Sequence, residues 1–71
     1  MTQAAHIRIN GQDEVLSVST LAALLEEKAV DTAQRGIAVA LNGAVVPRAA
    51  WNETPLQAGD NVEIVRARQG G

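Results

Sequence analysis

Cysteine, phenylalanine and tyrosine are all absent from this 71-residue chain. Without cysteine no disulfide can brace a small fold and no thiolate metal site can form. The single histidine, His6, cannot hold a metal without several carboxylate partners, and no Ser-His-Asp or Cys-His set can be built around it. It stands in an alternating polar-apolar segment and reads as a solvated strand residue. Aromatic content reduces to Trp51, so any core must be aliphatic. Positive charge is sparse: Arg8, Lys28, Arg35, Arg48, Arg66 and Arg68 are scattered, net charge is −2 and the pI about 5.1. With no basic block and no aromatic-basic interleaving, a nucleic-acid partner is not expected. Apolar runs fall far short of a membrane span. Residues 1–5 lack the charged start and apolar stretch of a signal peptide, so a cytoplasmic protein is the expectation.

What is present suffices for one small domain. Hydrophobic residues make up 46% of the chain, too many for a disordered segment. At this size a domain buries only about 60% of the surface its unfolded chain exposes.

His6-Ile7-Arg8-Ile9-Asn10 alternates as a half-buried strand does, and residues 14–18 form a second candidate. The Asn10-Gly11-Gln12-Asp13 segment between them signals a hairpin. A loop at Asn10-Gly11 would set Ile7 opposite Glu14. A loop at Gly11-Gln12 sets Ile7 opposite Leu16 and Ala5 opposite Val18, which keeps one face apolar and suits a type II′ turn. The sequence pattern therefore favours Gly11-Gln12.

Ser19 or Thr20 can cap a helix predicted over residues 21–30. Leu21, Leu24, Leu25 and Lys28 fall on one stripe, with the Lys28 stem at its edge and the charges of Glu26 and Glu27 solvated. Residues 31–36 read as a polar connector. Ile37–Leu41 reads as a central strand with Ile37, Val39 and Leu41 on one face and Ala38 and Ala40 on the other. Asn42-Gly43 is a turn, and Ala44–Val46 a short strand that Pro47 confines to a sheet edge. A short helical turn is expected near Trp51, whose bulk covers the edge of the core. Arg48 has two readings, satisfying nearby carbonyls or meeting a partner. Residues 62–66 make a last strand. The predicted core joins Ile7, Ile9, Leu16, Val18, Ile37, Val39, Leu41, Val62 and Ile64 to the leucine stripe. A mixed sheet of four to five strands packed on one main helix, an α+β fold, is the layer solution.

The sequence closes on Gly70-Gly71. At an average glycine usage of about 7%, chance produces such a pair in about 0.5% of chains, so alone it is a weak signal. Two glycines do make a thin thread able to enter a narrow site with its carboxylate leading. With no cysteine, any sulfur the chain carried would have to sit on that carboxyl. Residues 67–71, read as a flexible tail beyond a 1–66 domain, span about 16–18 Å when extended.

The segment Ala40-Leu41-Asn42-Gly43-Ala44-Val45-Val46-Pro47-Arg48-Ala49-Ala50-Trp51, the Gly59-Asp60 turn and the Gly70-Gly71 end together resemble the ThiS-like sulfur carriers of thiamin biosynthesis, within the ubiquitin-like β-grasp family. The resemblance spans nearly the whole chain. It implies that Gly71 is adenylated by an E1-like, ATP-dependent enzyme. A persulfide donor then displaces AMP and leaves a thiocarboxylate, which thiazole synthase consumes. It implies no catalytic residue in the chain and no cofactor bound by it, ATP being used by the activating enzyme. Gly70 and Gly71 would present the tail to partner enzymes. By alternation, Val15, Ala38, Ala40 and Val65, beside Arg8 and Glu63, form a candidate partner-docking face away from the helix. A molybdopterin-synthase-like sulfur carrier and a ubiquitin-like protein modifier would use the same Gly-Gly end, and a plain interaction module would not need it.

Overall fold

A computed structural model describes residues 5–28, 30 and 36–66. In chain order the elements are β1 (His6–Ile9), β2 (Gln12–Val15), α1 (Leu21–Glu27), β3 (Ile37–Leu41), β4 (Ala44–Val46), a 3-10 helix (Arg48–Glu53) and β5 (Asn61–Arg66). The five strands form one mixed sheet in the order β2-β1-β5-β3-β4. Only the β1–β5 pair is parallel. The last strand thus fills the middle of the sheet, with β3 interior beside it and β4 at the edge, where the following Pro47 places it.

Alternation decides which face is buried. Ile7, Ile9, Val39 and Val62 point to the helix side and are almost wholly buried. Against them lie Leu21, Leu24 and Leu25, the predicted stripe. Leu16, Val18, Ile37, Leu41 and Ile64 pack around this centre as half-buried residues. Val30, Trp51 and Leu56 complete the core. Thr20 is the N-cap, its Oγ1 accepting from the Ala23 N–H at 3.2 Å. The helix ends at Glu27, three residues short of the predicted end. There the chain turns at Lys28, and the Val30 N–H donates to the Leu25 carbonyl as Val30 enters the core.

The first hairpin departs from the sequence expectation. Ile7 pairs with Glu14 and Ile9 with Gln12, so the loop is Asn10-Gly11 and β2 is Gln12–Val15 rather than residues 14–18. Both loop residues have positive φ, 51° and 85°, as a type I′ turn requires, and Asn-Gly suits that turn because its twist matches the strands. A slip of two residues leaves every side chain on its own face, and what changes is which residue stands opposite Ile7. The side chain set opposite Ile7 is Glu14, which is tolerated at this sheet edge because Lys28 forms an ion pair with it across from the helix. Leu16 and Val18 reach the core from the connection to the helix instead of from a strand.

Candidate functional site

The sheet face turned away from α1 carries no covering element among the described residues. On it Val65 stands beside Ala38, and Glu63 beside Ala40, which in turn pairs with Val45. Val65 and Val45 are 60% and 74% exposed, so this small apolar patch is open. Three of the four residues predicted for a docking face, Ala38, Ala40 and Val65, are thereby brought together. Val15 shares the face but not the patch. It pairs with His6 on the outer hairpin, while Val65 lies four residues beyond Asn61, the partner of Arg8. The two valines are separated by about 20 Å along the strands and about 10 Å across them. Between them Arg8 pairs with Asp13 at 3.3 Å, both well exposed. Val45 was not singled out from the sequence, although its register opposite Ala40 follows from the two-residue Asn42-Gly43 turn.

The patch lies at the exit of β5. Gly70 and Gly71 lie outside the described residues, but the strand that leads towards them ends at Arg66, directly after Val65. That strand is fixed from both sides. Asn42 donates its N–H to the Asn61 carbonyl at 2.7 Å, and its Oδ1 accepts from the Asn61 N–H at 2.9 Å. Its Nδ2 donates to Asp60 Oδ1 at 3.1 Å, so both ends of the amide are engaged. On the opposite side Asn10 donates its N–H to the Val62 carbonyl at 2.9 Å, and its Oδ1 accepts from the Ile64 N–H at 2.8 Å.

The Val46-Pro47-Arg48 to Trp51 segment is structural in this geometry. Trp51 is buried in the core, and its Nε1 donates to the Val46 carbonyl at 2.9 Å, tying the edge strand to the 3-10 helix. The Arg48 guanidinium lies 4.9 Å from the centre of the indole ring, a cation–π arrangement. Trp51 thus covers the core edge, as its position in the sequence suggested. His6 is exposed on the open face. Among the described residues no group of three or more His, Cys, Asp and Glu side chains is placed to hold a metal ion, and no helix is long and apolar enough to cross a membrane.

A mixed five-stranded sheet gripping one helix, with a central last strand leading into a carboxyl-terminal segment, defines a ubiquitin-like β-grasp domain. The family can be stated more narrowly. A model of the ThiS family matches residues 4–71, and the chain belongs to that family. It is similar to the crystal structure of a thiamine biosynthesis protein, ThiS, from Geobacter metallireducens. Identity is 30% and the TM-score 0.77, over 93% of this chain and 99% of that one. An NMR solution structure of a thiamine biosynthesis protein from the same organism is similar at 30% identity and a TM-score of 0.76, over 93% of this chain and 87% of that one. No match is found among curated proteins.

Proposed function

We propose that this chain carries sulfur for thiazole formation in thiamin biosynthesis, on the carboxyl of Gly71. The observation that carries the reading is the family match, which runs from residue 4 through the Gly70-Gly71 end on a chain of β-grasp architecture. A free carboxylate is a poor electrophile. An E1-like enzyme joins it to the AMP portion of ATP and releases pyrophosphate, giving an acyl-adenylate. The terminal sulfur of a persulfide attacks the acyl carbon, and AMP leaves with the C–O electron pair. A thiol then cleaves the resulting acyl disulfide, leaving a thiocarboxylate on Gly71 and a disulfide on the donor side. Thiazole synthase accepts the sulfur. Splitting one difficult transfer into such steps is the logic of covalent catalysis, but the chain supplies only the acyl group and is not itself the enzyme. It binds no cofactor in this scheme and works in the cytoplasm, where its partners use ATP.

In this reading the open patch of Ala38, Ala40, Val45 and Val65, rimmed by Glu63, is where a partner body rests while residues 67–71 enter its active site. A small apolar centre with a polar rim suits a transient contact. The test is an intact-mass measurement after incubation with the activating enzyme, ATP and a persulfide donor. A gain equal to one oxygen-to-sulfur exchange, lost when Gly71 is deleted, is expected. An unchanged mass would sink the proposal, and lysine-linked adducts in its place would make the chain a protein modifier.

A further inference from the structure

β1 and β5 run parallel, and their ladder can be followed bond by bond. The Arg8 N–H donates to the Asp60 carbonyl at 2.9 Å, and the Asn10 N–H to the Val62 carbonyl at 2.9 Å. In a continuing parallel ladder the next bond would run from the Ile64 N–H to the main-chain carbonyl of residue 10. The chain leaves the sheet there, because Asn10 has entered the left-handed region at φ 51° to start the hairpin turn. The Ile64 N–H donates instead to the Asn10 side-chain Oδ1 at 2.8 Å. The amide oxygen thus stands in for the missing carbonyl, 54 residues away in sequence. Beyond this bond β5 runs on through Val65 and Arg66 with a neighbour on the β3 side, where Ala38 and Ile37 pair with them. On the β1 side a groove of about 540 Å³ opens, lined by Asn10, Glu14, Lys28, Ile64 and Arg66 among others. Among the described residues, the last bond on that side of β5 is the one Asn10 accepts.

We infer that Asn10 is a positioning residue for the reaction at Gly71. Its amide fixes the outer side of β5 at Ile64, and so sets the direction in which the chain leaves the sheet relative to the Val65 and Ala38 patch. The inference rests on the sulfur-carrier reading. A carboxylate delivered through a narrow site is sensitive to such placement, since a displacement of about 1 Å can cost about a hundredfold in rate. Neither the Asn42-Gly43 turn nor β3 can replace this contact, because both hold β5 from its other side.

The test uses the full chain with its adenylating enzyme. Asn10→Gly keeps a turn that glycine also accommodates and removes only the side chain, while Asn10→Asp keeps an acceptor oxygen and tolerates positive φ. Amide exchange at Ile64 should accelerate in Asn10→Gly and stay slow in Asn10→Asp. ATP–pyrophosphate exchange dependent on the chain, read well below the melting temperature, should fall by about tenfold or more in Asn10→Gly and recover in Asn10→Asp. Faster Ile64 exchange with undiminished activation would make the contact merely structural and overturn the proposal, as would unchanged Ile64 exchange. If the wild-type chain itself is not activated, the sulfur-carrier reading fails and takes this proposal with it. Normal wild-type activation beside an equally active Asn10→Gly removes this proposal alone.

Discussion

Trp51 is the residue on which the edge of this molecule depends. As the one aromatic side chain it fills core volume, holds the Val46 carbonyl and supports the Arg48 guanidinium. Trp51→Phe keeps most of the apolar volume but deletes the indole donor. A net hydrogen bond of this kind contributes about 1 kcal/mol, and urea denaturation should show a loss of about 1–2 kcal/mol once poorer packing is added. Gly11 offers a separate test of backbone rather than contact. A Cβ there meets nothing within 4 Å, yet φ is +85°. Gly11→Ala should therefore destabilise through conformation alone, by about 1 kcal/mol, and hydrogen exchange should show the loss as a global drop in stability.

At the scale of the element, α1 is short, with seven residues, and depends on its ends. Its entry is bound twice: Thr20 Oγ1 accepts from Ala23, and the Leu21 N–H donates to the Thr54 carbonyl. Thr20→Ala removes the first of these and should lower stability by about 1 kcal/mol, with Thr20→Ser restoring most of it; thermal melts of the three chains check this. At its other end Lys28 reaches Glu14 on β2, and Ser17 Oγ donates to Glu27 Oε2 at 2.6 Å. The leucine stripe, the N-cap and the Asn42-Gly43 turn are local patterns and were legible in the sequence. The first hairpin's register was not. Its choice between loops turned on whether β2 must be apolar, and that depends on β2 being a sheet edge with a lysine across from it, a fact of tertiary placement.

At the scale of the whole molecule, a buried core whose changes cost stability lies against one side of the sheet, and the exposed Val45 and Val65 lie on the other. Leu25 is wholly buried within the helix-sheet layer. Leu25→Ala should cost about 2–5 kcal/mol, a large share of a total stability of the order of 5–15 kcal/mol, and urea denaturation followed by circular dichroism should show the midpoint fall accordingly. The open face should behave oppositely. Val65→Asp is expected to leave the melting temperature nearly unchanged while weakening binding to the activating enzyme, and Val15→Asp should alter neither. Equal loss of binding in the two variants would show that the contact spreads over the whole face rather than over the patch at the β5 exit.

The alternation of Ile7 with Ile9, the Leu21, Leu24 and Leu25 spacing and the Ile37–Leu41 run determined by themselves that this chain is one helix on one sheet. Each depends only on side-chain periodicity along a strand or helix. The Gly70-Gly71 end and the segment through Trp51 likewise identified the family from linear order alone. Tertiary structure decided how the residues of the proposed docking face group. Alternation assigns Val15 and Val65 to the same side, but only the strand order sets them at opposite ends of it. It also decided the role of Asn10, which reads locally as a turn residue. Its side chain becomes a rung of the sheet because β5, arriving last, runs past the point where β1 turns away.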